Sequence, residues 1–208
     1  MLNWHNINTV FLDMDGTLLD LNFDNHFWQD HVPLRYAEKY NIDVDAAKKV
    51  LFPRFRKVEG TMDWYCIDYW TQELGLDIAL LKEEVEHLIA VHPYVVDFLK
   101  SVKRHGKRLV LVTNAHAKSL QLKMCRTQIG DHFDAIICSH DFGKPKENPE
   151  FWEQLQYRET YDPNQTLLVD DSLAVLRAAQ QYGIGYLLAV LNPDTKRPPK
   201  DVGEFDAT

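Results

Sequence analysis

Five short apolar runs constrain what this chain can fold into more than any other feature of it. They are "TVFLDMD" (9–15), "KRLVLVTN" (107–114), "DAIICS" (134–139), "TLLVDD" (166–171) and "GYLLAV" (185–190). Each is too short for a helix, carries β-branched residues and runs into polar or turn residues. Strands buried on both faces of a parallel sheet read this way. From residue 94 onward helical patterns fill the gaps. "YVVDFLKSVKRHG" is apolar at 95, 96, 98, 99 and 102 and stops at Gly106, with Lys and Arg in its last turns. "AKSLQLKMCRTQIG", "PEFWEQLQYRE" and "SLAVLRAAQQYG" repeat the design. This alternation predicts an α/β fold with a Rossmann-like, doubly wound parallel sheet.

One interval breaks the rhythm. Between residues 20 and 92 there is no clear strand, over a span of about 70 residues that no compact domain leaves as a loop. Its content is helical and aromatic: "DNHFWQDHVPLRYAEKY", "VDAAKKVLFPRFRKV", "MDWYCIDYWTQELG" and "IALLKEEVEHLIAV". The division predicted is a sheet core from 1–19 and 93–208, with an α-helical domain at 20–92 inserted after the first strand. The tail "NPDTKRPPKDVGEFDAT" is Pro-rich and polar, and is expected to be irregular.

Charge and cysteine usage remove several function classes. The chain has 208 residues, 45% of them hydrophobic, and a net charge of −8. An acidic chain binds nucleic acid and anionic membrane poorly, because phosphate backbones are held by dense Lys and Arg. The three cysteines, Cys66, Cys125 and Cys138, form no CxxC pair and suggest neither a disulfide framework nor a zinc knuckle. The N-terminus lacks a basic leader, and no run approaches the ~18 apolar residues of a membrane span. A cytoplasmic protein, monomeric or weakly self-associating, is expected.

Ligands of open α/β sheets bind beyond the carboxyl ends of the strands. Strand one ends in Asp13 and Asp15, strand two in Thr113 and Asn114, and strand four in Asp170 and Asp171; the loop after strand three carries Lys144 and Lys146. Four carboxylates in one crevice repel one another, which raises their pKa values unless a cation intervenes. Oxygen-only donors without His or Cys select Mg²⁺ over zinc. Together with the Thr, Asn and Lys donors, such a site suits a phosphoryl group. Residues two apart in extended chain share a side, so Asp13 and Asp15 can face one substrate. One can attack phosphorus, and the other can protonate the leaving oxygen and later deprotonate water. Gly16 permits the turn that follows. Each group alone has a plainer reading as a cap, a turn or a solvated charge; their coincidence at the strand ends argues for chemistry.

"FLDMDGTLLD", "LVTNA", the loop lysine and "LLVDDS" resemble, in this order, the four motifs of the haloacid dehalogenase-like hydrolase superfamily. The resemblance implies an aspartyl-phosphate mechanism with Mg²⁺ and an inserted helical cap of the C1 type. It implies Asp13 as nucleophile and Asp15 as general acid/base, the latter also lending its backbone carbonyl to the metal. Thr113 and Asn114 would hold phosphate. Asp171 would bind the metal, with Asp170 a direct or indirect partner. The family pattern Lys-Pro-x-Pro-x-x-aromatic favours Lys146, which keeps the spacing, over Lys144, which keeps the first Pro. Two departures stand out: Leu173, Ala174 and Val175 occupy positions where a further acid often follows, and Pro93-Tyr94 replaces a frequent Pro-Gly pair.

Within the superfamily, "LDMDGTLLDLNFDNHFWQDHVP", "DWYCIDYW", "LVTNAH" and "GIGYLLAVLNPD" are similar to bacterial GMP/IMP nucleotidases. That similarity implies hydrolysis of purine nucleoside 5′-monophosphates. A purine could stack on one or two aromatics among Phe23, Phe27, Trp28, Phe52, Phe55, Trp64, Tyr65, Tyr69 and Trp70. Most of these are expected in the core, since Trp64, Ile67, Trp70 and Leu74 recur at helical spacing. Arg54, Arg56 and Lys57 form a basic cluster that reads first as a solvated face. His26, His31 and His116 read as structural, and Asp24 and Asn25 as possible site lining. The generic motifs also fit a phosphatase for a sugar phosphate or phosphoglycolate. Asp, Mg²⁺, Thr and Lys also occur together in receiver-type signalling modules, but there the accepting Asp lies on a later strand.

Overall fold

The computed structural model describes residues 2–208. Strand β1 (Thr9–Leu12) lies inside a parallel sheet with β2 (Arg108–Thr113), β3 (Ala135–Cys138), β4 (Thr166–Asp170), β5 (Tyr186–Ala189) and β6 (Asp206–Ala207). The order is β3-β2-β1-β4-β5-β6. The chain steps outward from β1 to β3, then crosses back to place β4 on the other side of β1. That reversal opens a crevice at the carboxyl ends of β1, β2 and β4.

Alternation along the strands builds two cores. Val10 and Leu12 of β1 point to one face with Leu109, Leu111, Leu167 and Val169; Phe11 points to the other with Val110, Val112 and Leu168. Helices α7 (Val95–Arg104) and α8 (Ala117–Thr127) cover the first face. The second is covered by α9 (Pro149–Arg158), which brings Phe151, Trp152 and Leu155, and by α10 (Leu173–Tyr182), which brings Val175, Leu176 and Ala179. A one-residue slip of any central strand would exchange these two apolar sets, so the register is firmly specified.

The chain between β1 and α7 is helical: α1 (Asn22–His26), a π-turn over Phe27–His31, α2 (Val32–Tyr40), α3 (Val44–Val58), the single turn α4 (Met62–Tyr65), α5 (Ile67–Leu74) and α6 (Ile78–Glu84). Asp43 and Asp77 cap α3 and α6 by accepting from Ala46 N and Leu80 N. The chain enters and leaves this segment through one paired crossing. Leu19 bridges Val91, Asp20 N donates to Ala90 O at 2.9 Å, and His92 N donates to Leu18 O at 2.9 Å. The apolar core continues from the sheet into the segment through Phe23, Phe27 and Trp70.

Three details differ from the sequence reading. The tail is not wholly irregular: β6 pairs with β5, because Thr208 N reaches Ala189 O and Leu191 N reaches Thr208 O. Trp64 does not share a helix with Ile67, Trp70 and Leu74, since Cys66 turns extended and starts α5 as its cap. Tyr94, which stands in place of the glycine of a frequent Pro-Gly pair, itself adopts the left-handed conformation, φ 65°.

Candidate active site

The sheet hydrogen bonding runs one residue past β1, because Asp13 N donates to Val169 O at 3.0 Å. Asp13 therefore stands at the rim of the sheet, while Met14 turns fully into the core. The chain then reverses over Gly16, whose φ of +84° disfavours any side chain. Space forbids one as well: a Cβ there would lie 2.9 Å from Asp171 Cγ and 3.1 Å from Pro193 Cβ. Glycine lets the β1 turn and the β4 turn close on each other, and so brings Asp171 beside Asp13.

Carboxylate oxygens of Asp13, Asp170 and Asp171 all fall within 4.8 Å of one another. Lys146 is buried beneath them. Its Nζ donates to Asp13 Oδ1 (2.5 Å), Asp170 Oδ2 (2.6 Å) and Val112 O (3.0 Å). Lys144 is on the surface, paired with Glu150 at 2.7 Å. Asp170 also accepts from Ser172 N at 2.8 Å, and Ser172 caps α10. Ser172, and neither aspartate, is therefore the residue that starts α10. Lys200 from the tail approaches Asp171 Oδ2 at 3.6 Å, near the positions where no further acid follows.

Three carboxylates face one buried ammonium, Lys146, and a partly exposed one, Lys200, at 3.6 Å from Asp171, which leaves the cluster with excess negative charge. Burial raises the pKa of Asp171 to about 7, with Asp170 and Asp13 adding to the rise. Burial also takes Asp13 to about 6, against the pull of Lys146 and with Asp170 adding. Burial raises Asp170 too. For Lys146, burial works against the charged form, but Asp13 and Asp170 hold its pKa above the ordinary lysine value. A divalent cation would remove the unbalanced charge, and an all-oxygen donor set fits Mg²⁺.

Asp15 does not join that cluster. Its carboxylate turns to Lys123 on α8, with Lys123 Nζ donating to Asp15 Oδ1 at 2.7 Å and to Asp24 Oδ2 at 2.6 Å. Lys82 of α6 donates to the other oxygen of Asp24 at 2.9 Å and lies 4.4 Å from the centre of the Phe27 ring. The result is a buried row of alternating charge, Asp15–Lys123–Asp24–Lys82, that joins the sheet to the helical segment. Burial raises Asp15 to about 6 even with Lys123 beside it. Asp24 is the reverse case: burial works to raise it, yet Lys123 and Lys82 together hold it far below the usual carboxylate range. Neither lysine was identified from the sequence, because each lies in an amphipathic pattern where lysine reads as solvated. The available signal was that Lys123 falls four residues after Ser119 on the buried face of α8.

Thr113 and Asn114 are buried at the end of β2. Asn114 caps no helix; its Nδ2 donates to Glu147 Oε2 (2.9 Å) and its Oδ1 accepts from Lys146 N (2.9 Å). Glu147, also missed in the sequence, accepts from Tyr65 OH as well, tying α4 to the lysine loop.

These groups floor a cavity of about 800 Å³, within the range of small-molecule sites. Its walls come from the helical segment: Asp24, Asn25, Trp28, Phe52, Phe55, Arg56, Trp64 and Tyr65. More aromatics reach the cavity than the one or two expected, because α4 breaks from α5 and turns Trp64 and Tyr65 toward it. Trp28 lies 6.1 Å from Trp64 and 5.5 Å from Phe55, ring centre to ring centre. Phe23, Phe27 and Trp70 are in the core. Of the basic cluster, only Arg56 lines the cavity; of the histidines, only His116 does. His31 is buried against Glu84 at 2.8 Å.

Comparison with known proteins places this arrangement. A family model described as haloacid dehalogenase-like hydrolase matches residues 7–183. The GMP/IMP nucleotidase YrfG of Escherichia coli is 40% identical over 192 residues, covering 92% of this chain and 86% of the relative. A phosphoglycolate phosphatase of Pseudomonas putida is 26% identical over 182 residues, covering 84% of this chain and 66% of the relative. Among solved structures, a HAD phosphatase from Thermococcus onnurineus superimposes with a TM-score of 0.80 at 22% identity, covering 97% of this chain and 92% of that one.

Proposed function

The chain belongs to the haloacid dehalogenase-like hydrolases and is a phosphatase of that family, and on that premise we propose that it hydrolyses purine nucleoside 5′-monophosphates, GMP and IMP foremost, to nucleoside and phosphate. The observation that carries the substrate is the 40% identity to a GMP/IMP nucleotidase across 92% of the chain, which includes the helical segment as well as the sheet. The cavity is in keeping with it. Trp28, Phe55 and Trp64 offer apolar faces on which a base can stack, worth roughly 1–3 kcal/mol per base.

In this reading Asp13, Asp170 and Asp171, with the Asp15 backbone carbonyl, would hold Mg²⁺, which would neutralise the cluster and draw charge from the phosphoryl oxygens. Thr113, Asn114 and the Lys146 ammonium hold the phosphate against Asp13. The Asp13 carboxylate attacks phosphorus, the bond from phosphorus to the 5′ oxygen breaks, and Asp15 gives its proton to that oxygen as nucleoside leaves. A water then attacks the aspartyl phosphate, Asp15 takes its proton, and inorganic phosphate departs with Asp13 restored. An Asp15 pKa near 6 suits both halves, since a proton must be present in the first and absent in the second.

Residues 20–92 act as a cap that closes over the strand ends and excludes water, hinged at the paired crossing of Leu19 with Val91. Among the described residues no helix is long and apolar enough to cross a membrane, and Cys66, Cys125 and Cys138 are all free. We further propose that the protein acts in the cytoplasm as a monomer or weak homo-oligomer.

A panel of phosphomonoesters with Mg²⁺ tests the substrate. GMP and IMP should give the highest kcat/KM, above AMP, sugar phosphates and phosphoglycolate. Sugar phosphates or phosphoglycolate turned over as well as GMP would overturn the purine assignment.

A further inference from the structure

A second cluster of metal-ligating side chains lies apart from the aspartates. Donor atoms of Cys66, His116 and His140 all fall within 4.8 Å of one another. The three come from separate elements. Cys66 starts α5 in the helical segment, His116 precedes α8 at the end of β2, and His140 follows β3. The two imidazole rings meet edge to face, 5.0 Å between centres.

We propose that Cys66, His116 and His140 form a zinc site that clasps the helical segment to the sheet. The donor set is one sulfur and two imidazoles, which suits zinc and is unsuited to the oxygen-seeking Mg²⁺ of the aspartate cluster. His140 Nε2 is buried and has no hydrogen-bond partner, so the site contains a ligand atom with nothing else to bind. A buried polar atom left this way is unfavourable, and a metal bond would satisfy it. Burial lowers the pKa of both His116 and His140, which keeps them in the neutral, metal-binding form. Zinc requires one rearrangement. His116 Nδ1 now accepts from Lys118 N at 3.3 Å, and that long cap is given up whichever ring nitrogen ligates. Asp68 Oδ2, 3.7 Å from His116 Nε2, lies beside the site as a candidate fourth ligand.

The position gives the site its consequence. Around it the helical segment already touches the sheet through Lys118 with Asp68 (2.6 Å) and Tyr65 with Glu147. A metal bonded to Cys66 on one side and to two histidines on the other would resist separation of the two bodies. The segment would then open more slowly about Leu19 and Val91.

Cobalt(II) is the probe, added to chelator-washed protein that has been saturated with Mg²⁺. The expected result is one tightly held cobalt with a sulfur-to-metal charge-transfer band, displaced by one equivalent of zinc. Cys66→Ser should abolish the band, and His140→Gln should weaken cobalt binding at least about tenfold. Absence of the band in the unaltered protein overturns the site, as does its survival in Cys66→Ser. Zinc should also slow hydrogen exchange of the Asp20 and His92 amides in the unaltered protein and not in Cys66→Ser. Equal exchange with and without zinc would overturn the clasp. Neither readout depends on what the enzyme hydrolyses.

Discussion

Lys123 Nζ lies 2.7 Å from Asp15 Oδ1 and 2.6 Å from Asp24 Oδ2, so one ammonium connects the proposed acid/base to the helical segment. Because the same ammonium also holds Asp24, whose second oxygen is taken by Lys82, the carboxyl of Asp15 is set by residues from both bodies of the molecule. Lys123→Met would leave two buried carboxylates with one fewer cation between them. Removing one partner of a buried ion pair costs about 3–5 kcal/mol, so chemical denaturation should show a loss of that order. Asp15 should also lose the attraction that restrains its pKa, and rise further above 6. The pH dependence of kcat/KM should then shift to higher pH. A profile that stays in place while stability falls would show Lys123 to be structural only.

The two loop lysines make opposite predictions. Lys146 is buried on Asp13 and Asp170, whereas Lys144 pairs with Glu150 at the surface. Lys146→Ala removes a buried cation aimed at developing charge and should lower kcat by about 10²–10³-fold. Lys144→Ala loses one exposed ion pair worth about 0–1 kcal/mol and should leave kcat unchanged. Steady-state kinetics on the two variants settles the roles.

Asp13 and Asp15 separate by the kind of defect each leaves. Asp13→Asn has no carboxylate to attack phosphorus and should show no turnover, with an unaltered circular dichroism spectrum. Asp15→Asn retains the nucleophile and loses proton transfer, a penalty of about 10²–10⁴-fold. That penalty should be smaller for a substrate such as p-nitrophenyl phosphate, whose leaving group needs no proton. An equal penalty on both substrates would remove Asp15 from the acid role.

The legible part of the molecule was that written in local pattern. Short apolar runs gave the five longer strands to within three residues, and the ends of those runs held Asp13, Thr113, Asn114 and Asp170 where they stand in the structure. Gly16 was legible as a turn, yet its closeness to Asp171 and Pro193 joins residues more than 150 positions apart and leaves no local trace. Lys123, Lys82 and Glu147 were hidden for a similar reason. A charged residue on an amphipathic helix or in a loop looks solvated until tertiary packing supplies its counter-ion. Strand β6 was hidden because two residues carry no periodicity.

Magnesium removal should make stability fall as pH rises. Asp171 titrates near 7 and Asp13 near 6 in the folded protein, both above the ordinary 3.8 of the unfolded chain. Between about pH 4 and pH 7 the folded state therefore binds more protons than the unfolded state, and stability is lost as pH rises through that window. His116 and His140, lowered from 6.5, act in the opposite sense over the upper part of it. The four raised carboxylates, Asp13, Asp15, Asp170 and Asp171, set the net direction. With chelator present, Tm should be lower at pH 8 than at pH 5. Saturating Mg²⁺ should raise Tm most at pH 8, and binding near pH 6 should release protons, seen by calorimetry in buffers of different ionisation enthalpy. A chelated protein that is more stable at pH 8 than at pH 5 would contradict the crowding of these carboxylates.

Tyr94 gives a prediction that rests on the backbone alone. It begins α7 directly after the segment rejoins the sheet core, in a left-handed conformation at φ 65° and ψ −1°. Side chains other than glycine resist this region because Cβ crowds the carbonyl oxygen, at about 1–2 kcal/mol. The ring offers little in return, since Tyr94 is 84% exposed. Tyr94→Gly relieves the crowding but gives the unfolded chain more freedom, worth about 0.4–1 kcal/mol in the other direction. The net should be a gain of up to about 1.5 kcal/mol, read as a higher Tm at fixed pH and Mg²⁺. Tyr94 follows closely on the segment Ala90–His92 that pairs with Leu18–Asp20, so the substitution also tests whether that crossing needs a stiff residue beside it. Faster exchange of the His92 amide in a more stable protein would mean that it does, and unchanged exchange would confine the effect to local strain.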